Sequence, residues 1–116
     1  MGNPVVHWEI IGKNGPRLQQ FYSQVFGWTV NADNPMGYGL VDGKEVGGVG
    51  GGIAANSDGR SQYVTIYVAV PDLQAHLDKI QKLGGKTVQP PTEIPGMVTF
   101  ALFTDPDGNL VGLIKA

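Results

Sequence analysis

From Pro4 to Ile11 the chain reads Pro-Val-Val-His-Trp-Glu-Ile-Ile, rich in β-branched and aromatic residues and followed by a turn cluster. That pattern predicts a strand. Successive side chains alternate, so Val6, Trp8 and Ile10 share one face and Val5, His7 and Glu9 the other. Asn14-Gly15-Pro16 then reads as a helix start, with a capping side chain ahead of a proline whose missing N–H costs nothing there. Leu18, Phe21, Tyr22, Val25 and Phe26 recur at helical spacing, and Gly27 suits a C-terminal stop. Three short strands are predicted next, over 28–32, 37–41 and 45–50, with turns at Asp33-Asn34-Pro35 and Asp42-Gly43.

The pattern then restarts. Residues 62–70 alternate as a strand. Pro71-Asp72 opens a second helix with Leu73, Leu77, Ile80 and Leu83 on one face, and Gly84-Gly85 ends it. Strands are predicted over 87–89, 97–103 and 110–115, with Asp105-Pro106-Asp107-Gly108 as a type I turn whose Gly108 is left-handed. The halves align at a constant offset: His7 falls on Thr65, Asn14 on Asp72, Tyr22 on Ile80 and Gly27 on Gly85. The expected fold is α+β, with two tandem βαβββ modules forming a curved mixed sheet, a half-barrel cleft with helices outside. One domain over 1–116 is expected, with modules at about 4–53 and 62–116. The small, polar stretch at about 54–61 is the expected linker.

Composition narrows the functional classes. Apolar residues make up 41% and charged residues 16% of the 116, which fits a globular chain. A net charge of −2 without a basic tract gives nucleic-acid binding no electrostatic support. The absence of cysteine removes disulfides, thiolate catalysis and thiolate metal sites, and fits a reducing cytoplasm. No apolar run approaches the ~20 residues of a membrane span, and the start of the chain does not read as a signal peptide. Gly50-Gly51-Gly52-Ile53-Ala54-Ala55 fits a dinucleotide-binding spacing, but Asn56-Ser57-Asp58-Gly59 reads as a loop where a helix is required.

The stretches His7-Trp8-Glu9-Ile10, Phe21-Tyr22-Ser23-Gln24-Val25-Phe26-Gly27-Trp28, Leu83-Gly84-Gly85-Lys86 and Phe103-Thr104-Asp105-Pro106-Asp107-Gly108-Asn109 resemble the vicinal oxygen chelate superfamily, the glyoxalase and bleomycin-resistance proteins. The resemblance covers nearly the whole chain. It implies a homodimer with two clefts for a small molecule. In metal-dependent members of that family, two ligands come from the first strand of each half and two from the last. His7 matches one such position, whereas Thr65, Gly112 and, by aligning the two Asp-Gly turns, Gly47 match the others. A cation needs three or four donors, so no cofactor is expected and a divalent metal is disfavoured.

The candidate catalytic residues are His7 and Glu9, as an acid/base pair. Histidine titrates near neutrality, and a neighbouring carboxylate orients its ring. The competing reading is a buried histidine bonded to structure, with Glu9 ion-paired at a dimer edge. Val5, Tyr63, Thr65, Tyr67, Phe100, Leu110 and Gly112 are the expected ligand-binding positions, with Leu102 and Ile114 adding apolar surface. Strand propensity alone also accounts for the two tyrosines. Trp8 is expected under a helix as a core residue, and His76 on an exposed helix face. The leading reading is a protein that binds and sequesters an antibiotic-like or aromatic metabolite. The alternative is a glyoxalase-like lyase or isomerase using His7 and Glu9 as the acid/base pair, with or without a weakly bound divalent metal. A partner-binding module has no comparable support in the sequence.

Overall fold

The computed structural model describes residues 2–56 and 61–116. Its elements are β1 (Val5–Gly12), α1 (Gly15–Phe26), β2 (Val30–Asn31), β3 (Gly39–Val41), α2 (Gly43–Val46), β4 (Gly51–Ala55), β5 (Tyr63–Val70), α3 (Leu73–Lys82), β6 (Lys86–Ile94), β7 (Val98–Thr104) and β8 (Leu110–Lys115). The expected α+β class and repeated βαβββ order are both present, with one extra helical turn, α2. The chain gathers into two compact units. The first is His7–Val64; the second is Thr65–Ala116 with the residues up to Val6. Of the linker expected at 54–61, Ala54 and Ala55 belong to β4, and 57–60 lie outside the described residues.

In the first unit the strand order is β2-β3-β4-β1. β1 and β4 are parallel, from Trp8 beside Gly51 to Gly12 beside Ala55; β3 runs antiparallel to β4, and β2 to β3. α1 begins where the Asn14 side chain accepts from the Arg17 N–H, and ends at Gly27 with φ of 70°. That left-handed turn favours glycine, and its N–H closes on the Ser23 carbonyl at 2.8 Å. The helix sits close on the sheet. A Cβ on Gly15 would stand 3.0 Å from the Ala55 nitrogen, and one on Gly12 would stand 2.9 Å from Leu18. Between them the buried Gln19 donates to the carbonyls of Ile53 (2.7 Å) and Gly37 (3.0 Å). Trp8 lies on this α1 side but is only half-buried, where a core position was expected. Its ring meets Trp28 at 5.0 Å, and Trp28 in turn meets Phe26 at 4.9 Å. The helical stripe is less buried than its spacing suggests: Phe21, Val25 and Phe26 are 55%, 54% and 57% exposed.

The strand expected at 45–50 lies elsewhere. Asp42 caps a helical turn by accepting from Lys44 N–H, and Gly47, with φ of 73°, closes it. The third strand of this half is β4, beginning at Gly51. Asp-Gly reads locally as a hairpin turn, but aspartate is equally a helix cap, and here the cap wins.

In the second unit the order is β5-β8-β7-β6. β5 and β8 are parallel, with Tyr67 beside Gly112; β7 is antiparallel to both β8 and β6. Val70, Leu73, Leu77, Ala101 and Leu113 form its core under α3, with Val68, Ile80 and Phe103 packed against them. Asp72 caps α3, matching Asn14 of the first unit. Leu83 falls one residue past the helix and is 70% exposed. β6 is longer than the three residues expected and accepts Pro90 and Pro91 because it is a sheet edge with irregular register at that point. The Asp105 turn forms as expected: Gly108 has φ of 91°, and its N–H donates to the Asp105 carbonyl. The Asn109 side chain, donating to Asp105, leads the contacts that hold that carboxyl below its ordinary pKa.

Candidate functional site

Because Trp8 and Gly12 meet the α1 side, the alternating His7, Glu9 and Ile11 project from the opposite face of the first unit's sheet. This face carries the polar chemistry. Glu9 is 8% exposed. The hydroxyl of Tyr38 donates to its Oε2 at 2.7 Å, and the hydroxyl of Tyr63 to its Oε1 at 3.0 Å. His7 Nε2 lies 2.9 Å from the Tyr38 oxygen, and the two rings stack at 6.2 Å and 17°. His7 and Glu9, expected as a pair, are thus brought together through Tyr38. Burial lowers the His7 pKa below 6.5, with the Glu9 charge partly opposing that shift.

Tyr38 has a prepared seat. A Cβ on Gly52 would stand 1.9 Å from both its Cζ and its oxygen. Its backbone N–H donates to Asn34 Oδ1 at 3.0 Å, and its carbonyl accepts from Asn34 Nδ2 at 2.7 Å. Sequence reasoning missed Tyr38. It precedes β3, and its role depends on a glycine fourteen positions further along. The available signals were an aromatic continuing the alternation of Leu40 and a glycine inside a strand, which marks a close approach.

The other sequence candidates fall in the second unit. Thr65 and Tyr67 are buried, at 4% and 5% exposure. The Thr65 hydroxyl is engaged by the Leu110 carbonyl. Gly112 lies beneath the Tyr67 ring, whose atoms would come within 2.3 Å of an added Cβ. Phe100, Leu110 and Ile114 are half-buried, and Leu102 is buried at 2% exposure. Val5 is 45% exposed. His76 is half-buried on α3, with Nδ1 3.1 Å from the Asp72 carbonyl, where an exposed side chain was expected. Tyr63 also lines an open, largely apolar hollow of about 490 Å³ with Ile10, Ile11, Leu18 and Lys13.

The metal positions need one revision. Strand register pairs Glu9 with Gly52 as it pairs Tyr67 with Gly112. Gly52, and not Gly47, is therefore the counterpart of Gly112. Neither glycine offers a donor, and a tyrosine ring covers each. No group of three or more His, Cys, Asp or Glu that could hold a metal ion occurs among the described residues. These residues do not fit a resident divalent cation.

A profile described as the Glyoxalase/Bleomycin resistance protein/Dioxygenase superfamily matches residues 5–113. The CFP32 protein of Mycobacterium tuberculosis, which carries a provisional name as a glyoxylase, is 30% identical over 105 residues. The match covers 84% of this chain and 40% of that one. The anthracycline biosynthesis protein DnrV of Streptomyces peucetius is 28% identical over 104 residues, covering 76% of this chain and 38% of that one. The chain thus spans about 40% of the length of the curated relatives it matches. A solved member of the same superfamily from Vibrio splendidus 12B01 has a TM-score of 0.66 at 17% identity, over 99% of this chain and 100% of that one. No helix among the described residues is long and apolar enough to cross a membrane.

Proposed function

The chain belongs to the Glyoxalase/Bleomycin resistance protein/Dioxygenase superfamily, and from that premise we propose that it binds an aromatic or amphipathic small molecule without a resident metal. The ligand docks on the sheet face opposite α1, its polar end among His7, Tyr38 and Tyr63. The observation that carries this reading is that two of the four positions the resemblance matches to metal ligands, Gly52 and Gly112, are glycine under tyrosine, the first beside a carboxylate already bonded to two phenols. Tyrosine gives such a site an apolar ring with one polar tip. The match to an anthracycline biosynthesis protein supports an aromatic ligand class.

Trp8 and Trp28 provide an intrinsic fluorescence signal for the test. Metal-stripped protein is screened with amphipathic aromatic compounds by fluorescence and by thermal shift. Stabilisation that rises with compound concentration and is weakened by Tyr63→Phe is expected. No stabilisation by any compound class overturns the reading.

The enzymatic alternative draws on one observation, the His7–Tyr38–Glu9 connection. A neutral imidazole joined through a phenol to a carboxylate suits proton transfer in a lyase or isomerase. Under that reading His7→Ala abolishes turnover of a substrate found in the screen, and unchanged turnover removes it. We extend the proposal to a cytoplasmic homodimer. The family resemblance and the exposed Phe21, Val25 and Phe26 support pairing, and the cysteine-free composition fits the compartment. Light scattering that finds a single 12.3 kDa species removes the dimer.

A further inference from the structure

We infer that Tyr38 is a positioning residue that fixes the tautomer of His7, keeping the ring hydrogen on Nε2 and making Nδ1 the unprotonated nitrogen. The phenol of Tyr38 has one proton, and its oxygen stands 2.7 Å from Glu9 Oε2 and 2.9 Å from His7 Nε2. A carboxylate oxygen only accepts, so the phenol proton goes to Glu9. A hydrogen bond to a charged acceptor is roughly twice as strong as a neutral one, which sets the direction firmly. The phenol oxygen then accepts from His7, and the nitrogen facing it must carry hydrogen.

The arrangement is held from several sides. Asn34 bonds both the N–H and the carbonyl of Tyr38, fixing the backbone from which the ring extends. Gly52 leaves the ring its seat, since any side chain there meets the phenol itself. Tyr63 bonds the second oxygen of Glu9, so both carboxylate oxygens are addressed and the group is held in one orientation. Gly52 and Asn34 thus act on His7 through Tyr38. The inference concerns the free protein and stands whether or not the proposed ligand is found.

Nitrogen-15 NMR of the histidine-labelled 116-residue chain tests it at about pH 8, above the ordinary histidine range. His7 is expected as the Nε2–H tautomer. Tyr38→Phe should lower its tautomer ratio about five- to tenfold, the worth of one hydrogen bond, with the His76 signals unmoved. Should Tyr38→Phe fail to fold, Glu9→Gln serves. Its amide can donate as well as accept, which frees the phenol proton and should erode the preference in the same direction. A wild-type His7 with its hydrogen on Nδ1, or a ratio unchanged in the folded variant, overturns the inference.

Discussion

The two units share a topology and differ in what they bury. In the second, β5, β7, β8 and α3 enclose an aliphatic core, and the face opposite that core holds Tyr67, Leu102 and a threonine whose hydroxyl is bonded to backbone. In the first, the helix side is aromatic and includes a buried glutamine, while the opposite face buries a glutamate. Both place a glycine under a tyrosine on the last strand of the half. The second takes that tyrosine from the paired position of its first strand, Tyr67. The first keeps Glu9 at that position and brings Tyr38 from the approach to β3. The difference separates stability from chemistry. Where the tyrosine comes from the strand itself, the face is packed; where it comes from a loop, a carboxylate and an imidazole are drawn together.

The largest expected effect lies in the second unit. Leu77 is fully buried at the centre of the aliphatic core. Leu77→Ala should cost about 2–5 kcal/mol in urea denaturation. Gly52→Ala and Gly112→Ala probe the shared glycine–tyrosine contact directly. Each should cost about 1–3 kcal/mol through overpacking. Only Gly52→Ala should also raise the His7 pKa toward its ordinary value, because displacing Tyr38 opens the imidazole to water.

Smaller effects sharpen the contrast. Gln19→Ala leaves the Ile53 and Gly37 carbonyls without their side-chain donor and should cost about 1–3 kcal/mol. The His7 pKa in the folded protein lies below its unfolded value. Above about pH 6.5 both states hold a neutral ring and His7 contributes no pH dependence. As the pH falls through that value the unfolded chain takes up the proton first, so stability declines until the folded pKa is also passed. Between about pH 7.5 and 5.5, wild type should lose stability relative to His7→Gln, and a constant difference would contradict the burial argument. Smallest, the matched helix caps should behave alike: Asn14→Ala and Asp72→Ala should each cost about 1 kcal/mol.

Those caps also show what was readable locally. Asn14, Asp72, Gly27 and the Asp105–Gly108 turn act within a few residues of themselves, so their patterns located α1, α3 and the β7–β8 connection. The family's ordered pattern supplied the rest of the fold. β4 was misplaced because Gly51 and Gly52 have no side chains to alternate. They are glycine on account of Trp8 and Tyr38, contacts separated by many residues. The same distance hid Tyr38 from the candidate site. His7, Glu9 and Tyr63 were legible because strand alternation assigned their faces, whereas the buried state of Thr65 and Tyr67 depended on packing that alternation does not reveal.

The central claim is that the first unit's face opposite α1 carries tyrosines bonded to a carboxylate and holds no resident metal. It is tested most directly by offering untagged protein zinc, nickel, iron and manganese, dialysing, and measuring metal by elemental mass spectrometry. The account predicts well under ~0.1 metal per chain for each ion. About one tightly held metal per chain would contradict it and require donors that the residue pattern does not supply.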